Sequence, residues 1–211
     1  MRKLIFLCCL MNALYCSAQI KAVTENGDEV ILYNDKTWVY ANGDSDASGE
    51  IPTNNAIFSK SKDASFLVKS KTVNNIGIYI NPKKWTFKKA DSDTEAEYSF
   101  QLKDKDAYGL IITERIEIPL ETLKGIALDN ARKIAPDIKI VMEEYRTVND
   151  KKVLCLQMNG TTQGVKFSYF GYYYSSESGT IQFITYTSQN LLKEYKAELE
   201  EFLNGFTIFA Q

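Results

Sequence analysis

The sequence has 211 residues, of which 45% are hydrophobic, and a formal net charge of −2. A chain of this length can bury a full hydrophobic core without metal or disulfide crosslinks, and its balanced charge lacks the basic excess typical of nucleic-acid binding. From this charge we expect no nucleic-acid partner. Histidine is absent, which excludes imidazole metal ligands and every mechanism that needs a histidine base, so we also expect no metal and no cofactor.

Residues 1–18 have the pattern of a secretory signal peptide. The basic residues Arg2 and Lys3 are followed by an apolar run and then by small residues. This order predicts cleavage between Ala18 and Gln19 and export of the mature chain, either to the periplasm or out of the cell. The apolar run is shorter than the roughly 20 residues that a transmembrane helix needs, and no later segment is long and apolar enough either. We therefore expect no transmembrane segment in the mature chain.

A lipoprotein signal is the alternative interpretation of the same segment. It would place a lipid anchor on Cys16 and tether the mature chain to a membrane. Cleavage before a lipidated cysteine normally requires a small residue at the position where this chain has Tyr15. The bulk of Tyr15 therefore favours the secretory signal over the lipoprotein signal.

A single cysteine, Cys155, follows the predicted signal peptide. It lies in the apolar run 153–156, which is typical of a buried strand. A reactive thiolate needs an electropositive neighbour, and no basic residue adjoins Cys155 closely. The pattern predicts a buried, inert thiol and leaves the mature chain without an internal disulfide.

Residues 19–41 are predicted to form a small N-terminal β module, a three-stranded meander. Its β-rich segments are 22–24, 29–33 and 37–40, with turn residues at 26–27 and 34–36. The string TENGDEVILYNDKTWVY at 24–40 resembles a short module of exported Bacteroidetes proteins. That resemblance implies a lineage and a compartment, and it implies no activity.

Residues 42–55 are rich in Gly, Ser, Asp and Asn and too poor in apolar residues to fold, so they are predicted to be a linker. Asp44 and Asp46 match the start of a calcium-binding EF-hand loop, but Asn55 stands where the bidentate glutamate belongs. A solvated acidic linker is therefore the better interpretation.

The remaining residues, 56–211, are predicted to form one α+β domain. Apolar runs bounded by turn residues predict strands at 66–68, 76–80, 98–102, 110–112, 138–148, 152–158, 165–174 and 180–187. Helical spacing of apolar residues predicts one helix between Pro119 and Pro136 and a second over 190–204, with Gly205 placed to cap it. Strands joined by hairpins, with two helices far apart in sequence, favour an antiparallel sheet sandwich.

This order of elements resembles the PsbP-like fold, which includes the DcrB-like bacterial proteins. The residues that carry the resemblance are IYINPKKW at 78–85, YRTVNDKK at 145–152, the long aromatic hairpin after them, and the Glu-rich last helix before Gly205-Phe206. The resemblance covers about residues 65–208. It implies a sandwich with two main helices and a non-catalytic accessory or assembly role in an exported compartment. The metal-binding histidines of some family members have no counterpart here.

The aromatic run 167–174 (FSYFGYYY) has two interpretations. Strand alternation places Phe170, Tyr172 and Tyr174 on one face, opposite the face that carries Phe167 and Tyr169. If both faces are covered by other layers, all of these residues belong to the core, which is the favoured interpretation. If the first face is open, its three aromatic residues form an exposed patch that suits a protein or a sugar.

Trp85 is the fourth candidate for a partner contact, although a tryptophan in this position more often caps a core. It ends the Pro-x-x-Trp turn that begins at Pro82. We therefore name Trp85, Phe170, Tyr172 and Tyr174 as the candidate contact residues.

The adjacent acids Glu143/Glu144 and Glu200/Glu201 suggest a glycosidase. Neighbours on a strand point to opposite faces, and neighbours on a helix lie about 100° apart, so neither pair directs two carboxylates to one sugar. We therefore expect an exported, non-catalytic binding or assembly protein whose partner is another envelope or secreted protein. The alternative is a carboxylate-dependent enzyme that acts on envelope glycans, which would need a pocket with converging acids.

Overall fold

The computed structural model describes residues 20–23, 29–32, 38–40, 51–92 and 94–209. They belong to two compact units, one within residues 1–50 and the other spanning 51–211. Several predicted features lie outside the described residues. They are the signal peptide 1–18 with its cleavage site at Ala18 and Gln19, Cys16, the turns at 26–27 and 34–36, and residues 42–50 of the linker.

The first unit contains the predicted three-stranded meander. Its strands are β1 (Ile20–Val23), β2 (Glu29–Leu32) and β3 (Trp38–Tyr40), in the order β1-β2-β3. Both pairings are antiparallel, with Val30 of the central strand opposite Ala22 on one side and Tyr40 on the other. The β-rich segments of the sequence therefore pair as the hairpin pattern predicts.

The described part of the second unit contains two helices and a longer series of strands. The strands are β4 (Thr53–Phe58), β5 (Phe66–Lys69), β6 (Ile76–Ile80), β7 (Trp85–Lys89), β8 (Tyr98–Leu102), β9 (Ala107–Glu114), β10 (Lys139–Val148), β11 (Lys151–Thr162), β12 (Val165–Ser176), β13 (Gly179–Ser188) and β14 (Phe206–Ile208). The helices are α1 (Leu120–Ile134) and α2 (Gln189–Leu203).

The strands form two sheets. The large sheet has eight strands in the order β4-β10-β11-β12-β13-β9-β8-β7, and the small sheet has the order β14-β6-β5. All pairings are antiparallel except that of β4 with β10, which is parallel. The expected α+β sandwich with two main helices is therefore confirmed, with one parallel edge strand that the sequence did not predict.

Strand β4 shows that the folded domain begins before residue 56, because residues 53–55, predicted to end the linker, belong to a strand of the large sheet. Tyr145 N donates to Pro52 O (2.8 Å), and Asn54 Nδ2 donates to the Glu144 carboxylate (3.1 Å). These bonds hold a polar segment on the edge of the sheet, where its side chains face water. Because backbone pairing holds β4 and apolar side chains contribute little, its sequence carries no hydrophobic pattern.

Each helix covers one face of the large sheet. Leu123, Ala127 and Ala131 of α1 pack with Phe167 and Tyr173 of β12 and their neighbours, on what we call the α1 face. The opposite α2 face carries α2 and the small sheet, whose buried residues share one core with the sheet. That core includes Ile78, Ile80, Trp85, Phe100, Phe170, Tyr172, Phe183, Leu199, Phe202 and Phe206. The alternation predicted for the aromatic run is therefore confirmed, and both faces of β12 are covered.

Candidate binding cleft

The candidate contact residues from the sequence lie in the core. Phe170 and Tyr172 are buried on the α2 face, with 0% and 1% of their surface exposed. Trp85 is also buried and stacks on Phe202 with ring centroids 3.8 Å apart. Tyr174 is half-buried against Phe206. The alternative of an exposed aromatic patch on this face is therefore corrected, because α2 and the small sheet cover it.

Tyr172 belongs to a polar network centred on the buried Arg146. The Arg146 guanidinium donates to Glu144 Oε1 (2.5 Å), to Tyr172 Oη (3.1 Å) and to Glu200 Oε1. Tyr172 Oη in turn donates to Asn204 Oδ1 (2.8 Å). Burial raises the pKa of Tyr172, so the phenol keeps its proton and remains a donor.

The four acids that suggested a glycosidase all form ion pairs. Glu144 and Glu200 share Arg146, so the fold does bring one carboxylate from each pair to a common point. Glu143 pairs with Lys124 (3.0 Å), and Glu201 pairs with Lys84 (2.6 Å). Each carboxylate therefore neutralises a cation within the fold, so these four glutamates have a structural role.

Cys155 is buried, as the sequence predicts. Burial raises the pKa of its thiol to about 12, although the fold brings in one cation that the sequence did not predict, Arg146, which acts to lower this pKa. A thiol with such a pKa carries almost no thiolate at neutral pH, so the inertness expected of this residue has a physical basis.

A solvent-accessible cleft lies on the α1 face, over the half of the large sheet formed by β7, β8, β9 and β13. Its volume is about 530 Å³, within the range of about 300–1,000 Å³ usual for small-ligand sites. Helix α1 packs with β10, β11 and β12. The cleft therefore occupies the part of this face that lies beside the helix-covered part.

The floor of the cleft consists of two cross-strand rows. Register places Thr86, Gln101, Tyr108 and Tyr186 side by side across β7, β8, β9 and β13. A parallel row runs through Lys88, Ser99 and Leu110. The rings of Tyr108 and Tyr186 stack with centroids 5.3 Å apart, and both residues are half-buried. The floor is therefore aromatic on β9 and β13 and polar toward the β7 edge.

One wall of the cleft comes from the connection between β7 and β8, at residues 90–92 and 94–97. Thr94 N and Thr94 Oγ1 both bond to Asp91 O (3.2 and 2.9 Å), which closes a turn. Ala90 N donates to Glu97 O (3.2 Å), which ties the two ends of the connection together. These bonds hold Ala90, Asp91, Thr94 and Ala96 against the floor.

The charges in the cleft are paired, and one hydroxyl has no partner. Lys88 and Asp91 form a salt bridge of 3.9 Å at the surface. The buried Ser99 Oγ has no hydrogen-bond partner among the described residues. A hydrogen bond to Asp106 and partial burial both raise the pKa of Tyr108, so its phenol is neutral. The cleft therefore offers neutral hydroxyl and amide groups beside aromatic surface.

Two exposed aromatic rings meet beside the cleft, one from the edge strand of the large sheet and one from the small sheet. Phe87 of β7 and Phe66 of β5 lie 5.5 Å apart, and they are 39% and 46% exposed. We call these two residues the edge pair. Exposed aromatic residues next to each other are typical of interaction surfaces.

Sequence reasoning did not find the cleft. It predicted only 110–112 of β9 and nothing of β7, so it could not align their side chains. One available signal is Ala107-Tyr108-Gly109-Leu110-Ile111, which puts small or core residues on one face and larger ones on the other. That alternation would extend the predicted strand back to residue 107. The pairing of β9 with β8 and β13 cannot be read in the same way, because it depends on the whole fold.

The comparisons with known proteins identify a fold. No protein-family model and no curated protein matches the sequence. Among solved structures, the chain is similar to cyanobacterial PsbP (CyanoP) from Synechocystis sp. PCC 6803, with 10% identity and a TM-score of 0.51, over 68% of this chain and 92% of that one. The second unit therefore has a PsbP-like fold, as the sequence resemblance implies.

Two further solved structures are similar at lower scores. One is LpqN of Mycobacterium tuberculosis, described as involved in cell envelope biogenesis, with 12% identity and a TM-score of 0.46 over 69% of this chain and 90% of that one. The other is PA94 of Pseudomonas aeruginosa, of unknown function, with 10% identity and a TM-score of 0.44 over 69% and 98%.

None of the helices in the described part of the chain has the length and apolar character needed to span a membrane. The described residues contain no group of three or more cysteine or acidic side chains that could hold a metal ion.

Proposed function

We propose that this chain is an exported accessory protein that acts by binding another envelope or secreted protein, with no chemistry of its own. The observation that carries the proposal is the cleft on the α1 face. Its lining combines half-buried tyrosines with hydroxyl and amide groups, and the exposed edge pair of Phe87 and Phe66 lies at the β7 edge beside it. Aromatic surface bordered by polar groups is the usual composition of a protein-binding site.

The charge arrangement supports binding over catalysis. A carboxylate-dependent glycosidase needs two acids about 5–10 Å apart, one of them with a raised pKa, on either side of the sugar. Asp91 is the acid among the cleft-lining residues, and it pairs with Lys88. The glutamates 143, 144, 200 and 201 are all held in ion pairs elsewhere.

The sequence pattern of residues 1–18 supports export. Intact-mass spectrometry of the protein recovered from the envelope or the medium tests this part of the proposal. We expect the mass of a chain that begins at Gln19. A mass that includes a diacylglycerol on Cys16 would show the lipoprotein interpretation to be correct.

A crosslinking pull-down tests the binding role. The Tyr108→Ala variant removes a ring from the cleft, and Tyr145→Ala removes a half-buried tyrosine from the same sheet outside the cleft. We expect the wild type and Tyr145→Ala to recover one stable exported partner and Tyr108→Ala to lose it, with unchanged circular dichroism. Recovery of no partner by the wild type, or turnover of an envelope glycan by the purified protein, would refute the proposal.

A further inference from the structure

We propose that the free edge of β7 binds an extended segment of the partner protein as an added strand. The segment would carry an apolar residue and, two positions away on the same face, an acidic residue. This inference rests on the proposed function, because it states how the partner is recognised.

The register of β7 leaves backbone groups free at the edge. Lys103 N donates to Lys84 O (2.8 Å) just before the strand, and Ala90 N donates to Glu97 O (3.2 Å) just after it. In an antiparallel pair, alternate residues bond to the neighbouring strand, so the even-numbered residues of β7 face β8. Phe87 and Lys89 therefore direct their N–H and C=O groups away from the sheet, and no described residue bonds to them.

The α2 face of this edge presents an apolar site followed by a basic one. Phe87 and Lys89 lie opposite Phe100 and Tyr98, which both belong to the core on that face. The Phe87 ring is partly exposed next to Phe66. A strand added at this edge would place alternate side chains beside Phe87 and Lys89.

The cation that a partner could meet at this site is Lys89. Lys71 lies over the Tyr98 ring at 5.8 Å, close to Lys89. The nearby Glu97 carboxylate accepts hydrogen bonds from Ser70 Oγ (2.8 Å), Thr113 Oγ1 (2.7 Å) and Lys71 N. Within the described residues no acid pairs with Lys89, so an acidic residue of the partner has a cation to meet.

The α1 face of the same edge is the cleft. Thr86 and Lys88 line it, and Lys88 is already paired with Asp91. The residues of an added strand that point to this face would therefore meet hydroxyl groups and a neutral ion pair. Uncharged polar side chains of the partner suit that environment. In strand addition, specificity comes from the sites that receive every second side chain of the added strand.

A second copy of this chain is a poorer occupant of the edge. Pairing two β7 strands would set the Lys88-Lys89 end of each copy against the edge of the other. Lysines on edge strands are a common device against such self-pairing. The geometry therefore favours a different chain with acidic character.

The test uses a fluorescein-labelled peptide, Thr-Glu-Thr-Val-Thr-Glu-Thr, and the full mature protein. Its valine has a glutamate two residues away on either side, so one glutamate can meet Lys89 in either strand direction. Fluorescence anisotropy should show saturable binding that is at least about threefold tighter than that of the same peptide with lysines in place of the glutamates. Equal binding of the two peptides would overturn the charge argument.

Variants of Lys89 distinguish the contribution of its backbone N–H to peptide binding from the contribution of its side-chain charge. Lys89→Pro removes the outward N–H without breaking a bond to β8, and Lys89→Ala keeps that N–H while removing the same charge. We expect Lys89→Pro to bind the peptide about tenfold more weakly than Lys89→Ala. Lys89→Glu should reverse the preference between the two peptides. Equal affinity of the proline and alanine variants would overturn strand addition.

A modified peptide provides evidence that does not depend on any variant folding. Successive N–H groups of an extended peptide point to opposite edges. Methylation of the backbone nitrogen of the central valine therefore blocks a donor on one edge, and methylation of the threonine after it blocks a donor on the other edge. Because only one edge pairs with β7, we expect one methylated peptide to lose binding and the other to keep it. Loss with both peptides or with neither would refute the inference.

The pull-down distinguishes this inference from the proposed function. Partner recovery by both the wild type and Lys89→Pro would refute the β7 edge as the site while leaving the binding role intact. Recovery by Lys89→Ala and loss by Lys89→Pro would support the edge. Recovery of nothing by the wild type would refute the binding role itself.

Discussion

The close approach of Gly205 to the small sheet leads to the sharpest prediction on stability. Gly205 follows α2 directly, and Tyr79 N of β6 donates to its carbonyl oxygen (2.8 Å). A Cβ atom at this position would lie 1.9 Å from Tyr79 O. Gly205→Ala therefore cannot be accommodated by a side-chain rotation, because the obstructing atom belongs to the backbone of a neighbouring strand.

The expected loss of folding stability depends on how far β14 and β6 must separate to admit the added Cβ atom. Strand β14 begins at Phe206, which is 1% exposed and pairs with Ile78, which is 0% exposed. Separating these strands costs about 1–3 kcal/mol for overpacking and about 1 kcal/mol for the hydrogen bond to Gly205. We expect Gly205→Ala to lower the free energy of unfolding by about 3 kcal/mol.

Gly125 provides a control with the opposite sign. It lies on an exposed turn of α1, and no atom lies within 4 Å of the position of an added Cβ. Alanine is favoured over glycine inside a helix by about 1 kcal/mol. Gly125→Ala should therefore raise the free energy of unfolding by about that amount.

Urea unfolding of the mature protein measures both effects, followed by circular dichroism and by tryptophan fluorescence. We expect the midpoint to fall for Gly205→Ala and to rise for Gly125→Ala, with similar slopes. A loss below about 1 kcal/mol for Gly205→Ala would refute the close approach of α2 and β6. A loss for Gly125→Ala would show that its helix face is covered.

Three further predictions concern the buried polar groups. Arg146→Met should cost about 3–5 kcal/mol in urea unfolding, because it leaves Glu144 and Glu200 facing each other without a cation. Asn149→Gly keeps the positive φ of 46° but loses the bonds to Lys60 N, Asn204 O and Phe206 O, so we expect a loss of about 2–3 kcal/mol. Burial raises the pKa of Cys155 from 9.0 to about 12, so the unfolded chain loses the thiol proton first and stability falls as pH rises through this interval. The stability of the wild type should therefore drop by about 1 kcal/mol more than that of Cys155→Ala between pH 8 and pH 10, and thiol labelling should be fast only after denaturation.

The sequence predicts the covered elements well because burial leaves a pattern. Helix α1 is read from Leu123, Ala127 and Ala131 between two prolines, and the structure buries these three residues against the sheet. The turn at Asn149-Asp150 is predicted from residues that accept positive φ, and their φ angles are 46° and 64°. In both cases the local sequence determines the local structure.

The edge strands β4 and β7 were missed because they leave no such pattern. In β7 only Trp85 is buried, and the four residues after it are exposed. Strand β4 is similarly open, with Ile57 exposed at 92%. Backbone hydrogen bonds to a central strand hold such segments, and these bonds do not depend on which side chains are present. A hydrophobic pattern therefore cannot reveal them.

The sequence could not decide whether its aromatic candidates are exposed, for a related reason. The sequence correctly assigned Tyr172 to one face of its strand, but whether that face is open depends on α2, which lies far away in sequence. The same residue type serves both roles in this sheet. Tyr172 and Tyr173 are buried where layers cover both faces of β12, and Tyr108 and Tyr186 are half-buried where the α1 face opens into the cleft.

Under the proposed function, the number of layers that cover a strand separates core aromatic residues from candidate contact residues. Removing a ring between two layers opens a cavity, which costs about 3–5 kcal/mol for a large side chain. Removing a ring from the cleft leaves a space that water can fill, so Tyr108 can vary at little cost to folding. Residues that are free to change without unfolding the protein are those on which partner recognition can depend. The cleft and the β7 edge meet that condition, whereas Trp85, Phe170 and Tyr172 do not.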